Sequence, residues 1–87
     1  MIKYKCKCCG YYTLMEQPVD PKKHPGTFEI CHVCYWEDDS IQYMNPEYSG
    51  GANRVSLNQA KINFKKFGAV EYDMIKYTRK PFPDEYE

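Results

Sequence analysis

The chain changes its hydrophobic rhythm partway along. Up to about residue 44, apolar positions come in short runs broken by turn formers, whereas after about residue 54 they recur at helical spacing. Gly10-Tyr-Tyr-Thr-Leu14 is rich in strand-forming residues and predicts a strand, and Thr27-Phe-Glu-Ile30 predicts a second. Between them, Gln17-Pro-Val-Asp-Pro-Lys-Lys-His-Pro-Gly26 holds three prolines, which fix the backbone and remove donors, so it reads as an irregular loop. Tyr35–Asp39, Ser40–Met44 and the turn-rich Asn45–Asn53 are expected to wrap around this β unit without extending it.

The later rhythm is helical. Ser56-Leu-Asn-Gln59 is a capping box, in which the hydroxyl accepts from the N3 amide and the glutamine reaches back. Leu57, Ala60, Phe64 and Phe67 then share one face, Val55 and Ala60 can staple the entry, Lys65 and Lys66 suit the negative end, and Gly68 closes it. The spacing predicts a helix over 57–67, its aromatic stripe packed on the β unit. A second helix is expected over about 70–78, with Val70, Met74, Ile75 and Tyr77 on its apolar side. Pro81 and Pro83 prevent its continuation, and Asp84-Glu-Tyr-Glu87 reads as a frayed tail.

Size turns attention to cross-links. An 87-residue chain makes one small domain, in which an apolar core leaves little surplus over chain entropy. Nine tyrosines, four phenylalanines and one tryptophan supply most of the bulk, so the core must be thin and aromatic. Met1-Ile-Lys-Tyr-Lys5 has no apolar run that would act as a secretory signal, and no stretch approaches membrane-spanning length. The expected compartment is therefore the reducing cytoplasm, where the five cysteines stay thiols unless a metal takes them.

Their spacing nominates the ligands. Cys6-x-x-Cys9 is followed by 21 residues and then by Cys31-x-x-Cys34, two steps that can each aim a pair of thiolates at one ion. Adjacent cysteines project in different directions, so Cys6 pairs with Cys9 more readily than Cys8 does, and Gly10 follows where such a turn resists a side chain. The expected site is Cys6, Cys9, Cys31 and Cys34 around one structural Zn2+ per chain, although iron also suits four thiolates. Cys8 and His32 lie inside the two steps. Cys8 is expected to be packed, or else exposed with its thiol acidified by the ion, Lys5 and Lys7. His32 is expected to be exposed or to back the ligands, with replacement of a nominated ligand by Cys8 or His32 as the alternative, and His24 is a turn residue.

Charge narrows the functional classes. The net charge is zero and the isoelectric point about 6.7, too balanced for a strong nucleic-acid footprint. Residues 24–53 carry five acids and no Lys or Arg, while 54–80 hold seven basic residues against two acids. There is no phosphate-binding glycine loop, nucleophile motif or HExxH, so no catalytic or cofactor-binding residue is nominated and no enzymatic activity is expected. The favoured reading is a protein-interaction module, adaptor or immunity-like, presenting Tyr11, Tyr12, Tyr35 and Trp36 beside an acidic rim for a basic partner. Tyr12 and Trp36 could equally fill the core. One alternative is a nucleic-acid-binding zinc ribbon using Lys3, Lys5, Lys7, Lys22 and Lys23. Another is a metal-dependent hydrolase using the Glu37-Asp38-Asp39 run, with His24, His32 or Glu47, against the plain reading of that run as a solvated loop.

Cys6-Lys-Cys-Cys-Gly-Tyr-Tyr-Thr-Leu14, Gly26-Thr-Phe-Glu-Ile-Cys-His-Val-Cys-Tyr-Trp-Glu-Asp-Asp39, Tyr48-Ser-Gly-Gly-Ala-Asn53, Val55-Ser-Leu-Asn-Gln-Ala60 and Asn63-Phe-Lys-Lys-Phe-Gly68 together resemble the bacterial cysteine-rich CPCC family over nearly the whole chain. Lys7 and His32 depart from it, each standing where a proline would be usual. The resemblance supports the metal and the fold and implies no activity. The expected architecture is small α+β: a rubredoxin-like or zinc-ribbon β unit over about 4–44, a helical part over about 55–78 packed on it, and a flexible tail over 81–87, all in one domain spanning 1–87.

Overall fold

A computed structural model describes residues 2–86. Two short strands, β1 (Tyr4–Lys5) and β2 (Tyr12–Leu14), pair antiparallel on either side of the first cysteine turn, Tyr4 opposite Leu14 and Lys5 opposite Tyr12. The predicted strand at 10–14 is thus present over 12–14, with the chain's beginning as its partner.

The segment at 27–30 is not a continuous strand. Phe28 sits at φ 62°, outside the extended region, and pairing is confined to a bridge between Ile30 and Glu37. Around it a short ladder still closes the second cysteine turn: Phe28 donates to the Asp38 carbonyl, Asp38 to Glu29 and Cys31 to Trp36, at 2.9–3.0 Å. Gly26 allows this close approach, because a Cβ there would collide with the Asp38 carbonyl oxygen.

Two α-helices follow, α1 (Ser40–Met44) and α2 (Leu57–Phe67). Helix α2 has the predicted bounds and caps. The Ser56 hydroxyl accepts from the Gln59 N–H, and Gly68 ends the helix at φ 85°. The reciprocal bond from the Ser56 N–H to the Gln59 amide oxygen is not formed, and Gln59 Nε2 donates to Asn63. Leu57 and Ala60 enter the core with Leu14, Val33, Trp36 and Val70, packed around the cysteines. Trp36 is therefore core filling and not an interface anchor, while Tyr11, Tyr12 and Tyr35 are half-buried.

Two expectations in the C-terminal third need correction. Residues 72–77 form a 3-10 helix instead of the α-helix expected over 70–78, and Ile75 and Tyr77 face solvent. Exposed on its outer side and held at its start by the Val70 N–H on the Cys34 carbonyl, this segment has too little apolar face to sustain wider turns. Residues 82–86 are docked on the fold and not frayed, while Glu87, the end of the expected tail, lies outside the described residues. Glu85 is buried and bidentate with Arg79 at 2.7 and 2.8 Å, in a second 3-10 turn (Pro83–Glu85), and the Tyr86 ring meets Tyr11 edge-on. No helix among the described residues is long and apolar enough to cross a membrane.

Candidate metal centre

Each Cys-x-x-Cys step folds into a turn whose backbone bonds leave both sulfurs on one side. Gly10 N–H donates to the Cys6 carbonyl at 3.0 Å, and Tyr35 N–H donates to the Cys31 carbonyl at 2.7 Å. The antiparallel strands bring the first turn, and the ladder from Phe28 to Asp38 the second, to a common point.

There the sulfurs of Cys6, Cys9, Cys31 and Cys34 all lie within 4.8 Å of one another. Cys6 and Cys34 are 3.6 Å apart, and Cys9 and Cys31 are 3.7 Å apart. Four sulfurs about 2.3 Å from a central ion would have tetrahedral edges of about 3.8 Å, so the set fits one ion. These contacts are far longer than the roughly 2.0 Å of a disulfide, and all five cysteines are free.

Charge makes the same case. Cys31 Sγ accepts from the Thr13 hydroxyl and lies 3.7 Å from Cys9 Sγ, and the neighbouring thiols, Cys34 foremost, pull its own thiol far down. The Cys6, Cys9 and Cys34 thiols are pushed far up by the sulfurs crowded around them, Cys31 foremost. Four thiolates crowded into one buried place repel one another and need a cation to be held together.

The surroundings are built for the sulfurs. Thr13, buried on β2, donates to Cys31 Sγ at 2.9 Å, and the Trp36 backbone N–H lies 3.4 Å from Cys34 Sγ. Thr13 was legible only as a strand residue; its place three positions after Gly10, on the inward face of β2, is the signal that would have found it. Cys8 is buried in the core and stands outside the four-sulfur set, consistent with the packed reading. His32 is exposed, and its carbonyl accepts from Arg79 N–H. His24 is exposed too, in the proline loop.

The acidic run does neither of the things expected of it. Asp38 and Asp39 are buried instead of solvated, and they are occupied with the fold instead of converging on an ion. Asp39 caps α1 by accepting from Ile41 and Gln42, and also accepts from Ala52. Asp38 accepts from Thr27 N–H and pairs with Lys7 at 2.8 Å. Lys7 also donates to the Pro25 carbonyl, so the residue that departs from the resembled pattern ties the first turn to the frame of the second. Glu37 is held by its backbone: its N–H and C=O bond the two ends of the Asn53 amide. Glu47 is exposed. Among the described residues, the four cysteines are the group of His, Cys, Asp and Glu side chains placed to share an ion.

No curated protein matches the chain. The family model described as Cysteine-rich CPCC matches residues 4–85, which contain both cysteine turns, the acidic run and α2. The chain belongs to the cysteine-rich CPCC family.

Proposed function

We propose that this is a bacterial, cytoplasmic zinc protein. One Zn2+ held by Cys6, Cys9, Cys31 and Cys34 would clamp a rubredoxin-like or zinc-ribbon unit, and the domain would act as an adaptor or immunity-like protein-interaction module. The observation that carries the metal reading is the closed, buried set of four sulfurs at tetrahedral spacing. When bound, such an ion supplies structure, because four protein ligands leave no position for a substrate. Iron would suit the same sulfurs and would colour the protein.

The interaction reading is supported by the surface. Ile41, Tyr43, Met44 and Tyr48, on α1 and just after it, are each at least 43% exposed, a large apolar display for so small a domain. Native mass spectrometry of the unmodified chain tests the metal: one zinc per chain is expected, kept in Cys8→Ser and lost in Cys31→Ser. Affinity capture from the native cell, followed by reconstitution with the purified partner, tests the module, and failure to reconstitute any complex would overturn it.

The nucleic-acid reading draws on an open cleft over the first turn, where Lys5, Lys7, Lys61 and Tyr43 meet. Lys7 is already neutralised by Asp38, and four thiolates on a dication would leave two negative charges beneath that cleft. Steeply salt-dependent mobility shifts with DNA or RNA would reinstate it. The hydrolase reading finds no support in carboxylates already engaged by backbone amides and Lys7.

A further inference from the structure

Between the second cysteine turn and the first 3-10 helix lies a cavity of about 210 Å³. Ile30, Tyr35, Val70 and Met74 give it an apolar wall, and its charged lining is Glu37, Glu71 and Arg54. Two carboxylates against one guanidinium leave an excess negative charge.

The carboxylates differ in what they already hold. Glu71 is taken: Arg54 Nε donates to it at 3.2 Å and Arg54 Nη2 lies 3.1 Å away, so its charge is already matched by a guanidinium of the cavity's own lining. Glu37 is fixed through its backbone by Asn53, yet its carboxylate has no hydrogen-bond or ion-pair partner among the described residues. Glu37, a half-buried residue lining the same cavity as Ile30, Val70 and Met74, offers a carboxylate that complements a ligand with a methylene stem and a cationic head. The cavity is smaller than the roughly 300–1,000 Å³ usual for cofactor- or drug-sized ligands, which favours one side chain over a free cofactor. Tyr72, Ile75 and Tyr77, on the 3-10 helix that supplies Met74, are exposed and extend the apolar surface outward.

We propose that this cavity receives a single basic side chain, lysine or arginine, from a partner protein, with Glu37 as its counter-charge. The proposal rests on the protein-interaction reading and names the chemistry of that partner. It is tested on the zinc-loaded full chain by amide NMR titration with N-acetyl-lysine amide, against N-acetyl-norleucine amide, which keeps the stem without the charge. Saturable shifts at Ile30, Ala52, Val70 and Met74 are expected with the lysine probe. Glu37→Gln, checked for unchanged zinc content and amide dispersion, should weaken binding by about fivefold or more. Arg54→Gln, which frees Glu71, should leave binding intact or tighten it. Equal binding of the norleucine probe, shifts elsewhere, or an unaffected Glu37→Gln variant would overturn the cavity's role. A reconstituted partner indifferent to Glu37→Gln would do so too, while leaving the interaction reading standing. Lysine-probe binding without any protein partner would instead sink the interaction reading and make the ligand a small amine.

Discussion

The two cysteine turns are one backbone device made from different residues. In each, the first cysteine donates to the carbonyl five positions on, Cys6 to Tyr11 at 2.8 Å and Cys31 to Trp36 at 2.9 Å. In each, the residue after the second cysteine is left-handed, Gly10 at φ 82° and Tyr35 at φ 72°. Glycine adopts that conformation freely, whereas a tyrosine there costs about 1–2 kcal/mol. The second turn carries this strain because the fold holds it from several sides. Tyr35 stacks on Tyr77 at 5.1 Å, Val70 and Arg79 donate to the Cys34 and His32 carbonyls, and Thr13 donates to Cys31 Sγ. The first turn has fewer outward ties, chiefly through Lys7, and its Cys9 is only half-buried. An ion at this centre would join a turn that the fold holds from several sides to one that has fewer such ties.

Removing the ion is the most severe way to test that asymmetry. Structural zinc sites contribute about 10–16 kcal/mol in apparent free energy, as much as a small domain's entire stability. Chelation is expected to abolish the dispersed amide spectrum and the thermal transition. A chelated chain that keeps both would remove the metal from the account of the fold. Between single ligands, Cys31→Ser should lower zinc affinity more than Cys9→Ser, since Cys31 is fully buried and Thr13 is aimed at its sulfur. Competition against a chromophoric chelator measures the difference, and equal losses would show that the two turns are equivalent.

Lys7 is the next point of attack, because it links the turns directly. Lys7→Met would keep most of the stem but leave Asp38, 2% exposed, without its counter-charge. A loss of about 2–3 kcal/mol is expected in urea unfolding of the zinc-loaded protein, with Lys7→Arg recovering most of it. A change within experimental scatter would mean that the ion alone holds the first turn in place.

A smaller effect separates the left-handed positions themselves. A Cβ at Gly10 would meet only the Lys5 side chain, at 3.7 Å, so the cost of Gly10→Ala is conformational: about 1–2 kcal/mol of destabilisation. Tyr35→Gly relieves strain of that size but loses the half-buried ring and its stack, so it should destabilise less than Tyr35→Ala, which loses the ring and keeps the strain. Equal destabilisation by the two would show that the Tyr35 ring, and not its backbone, is what the second turn needs.

What could be read from the sequence follows the range of the interactions. Helix α2 was legible because Ser56, the apolar spacing and Gly68 all act within a few residues, and the cysteine pairs because each step is local. Helix α1 was missed although Asp39 caps it, since three consecutive acids read as a solvated run. Loop 45–55 is pinned by a fully buried Gln42, whose amide donates to the Tyr48, Asn53 and Val55 carbonyls and accepts from Asn53. Polar residues in a core have no periodicity to announce them, and these partners lie 6 to 13 positions away. The docked end was hidden in the same way. Two prolines and a run of acids resemble a tail until Arg79 is known to face Glu85.

That last pair offers the finest adjustment of the comparison, because Arg79 also caps the second turn at His32. The Arg79 guanidinium, with the Phe82 N–H and Lys3 beside it, lowers the Glu85 carboxyl to about 2. A carboxylate depressed by folding stabilises the native state above its unfolded value near 4.3, and the contribution disappears as pH falls through the folded value. Zinc release also follows pH, so the informative quantity is the stability of the zinc-loaded wild type minus that of Glu85→Gln, each measured at the same pH. This difference should be about 1 kcal/mol at pH 6, less than the full shift implies because the Arg79 side chain is 31% exposed, and should shrink steadily below pH 4. If Glu85→Gln also weakens zinc binding, the anchor on His32 reaches the metal centre; if affinity is unchanged, the second turn is already rigid without it.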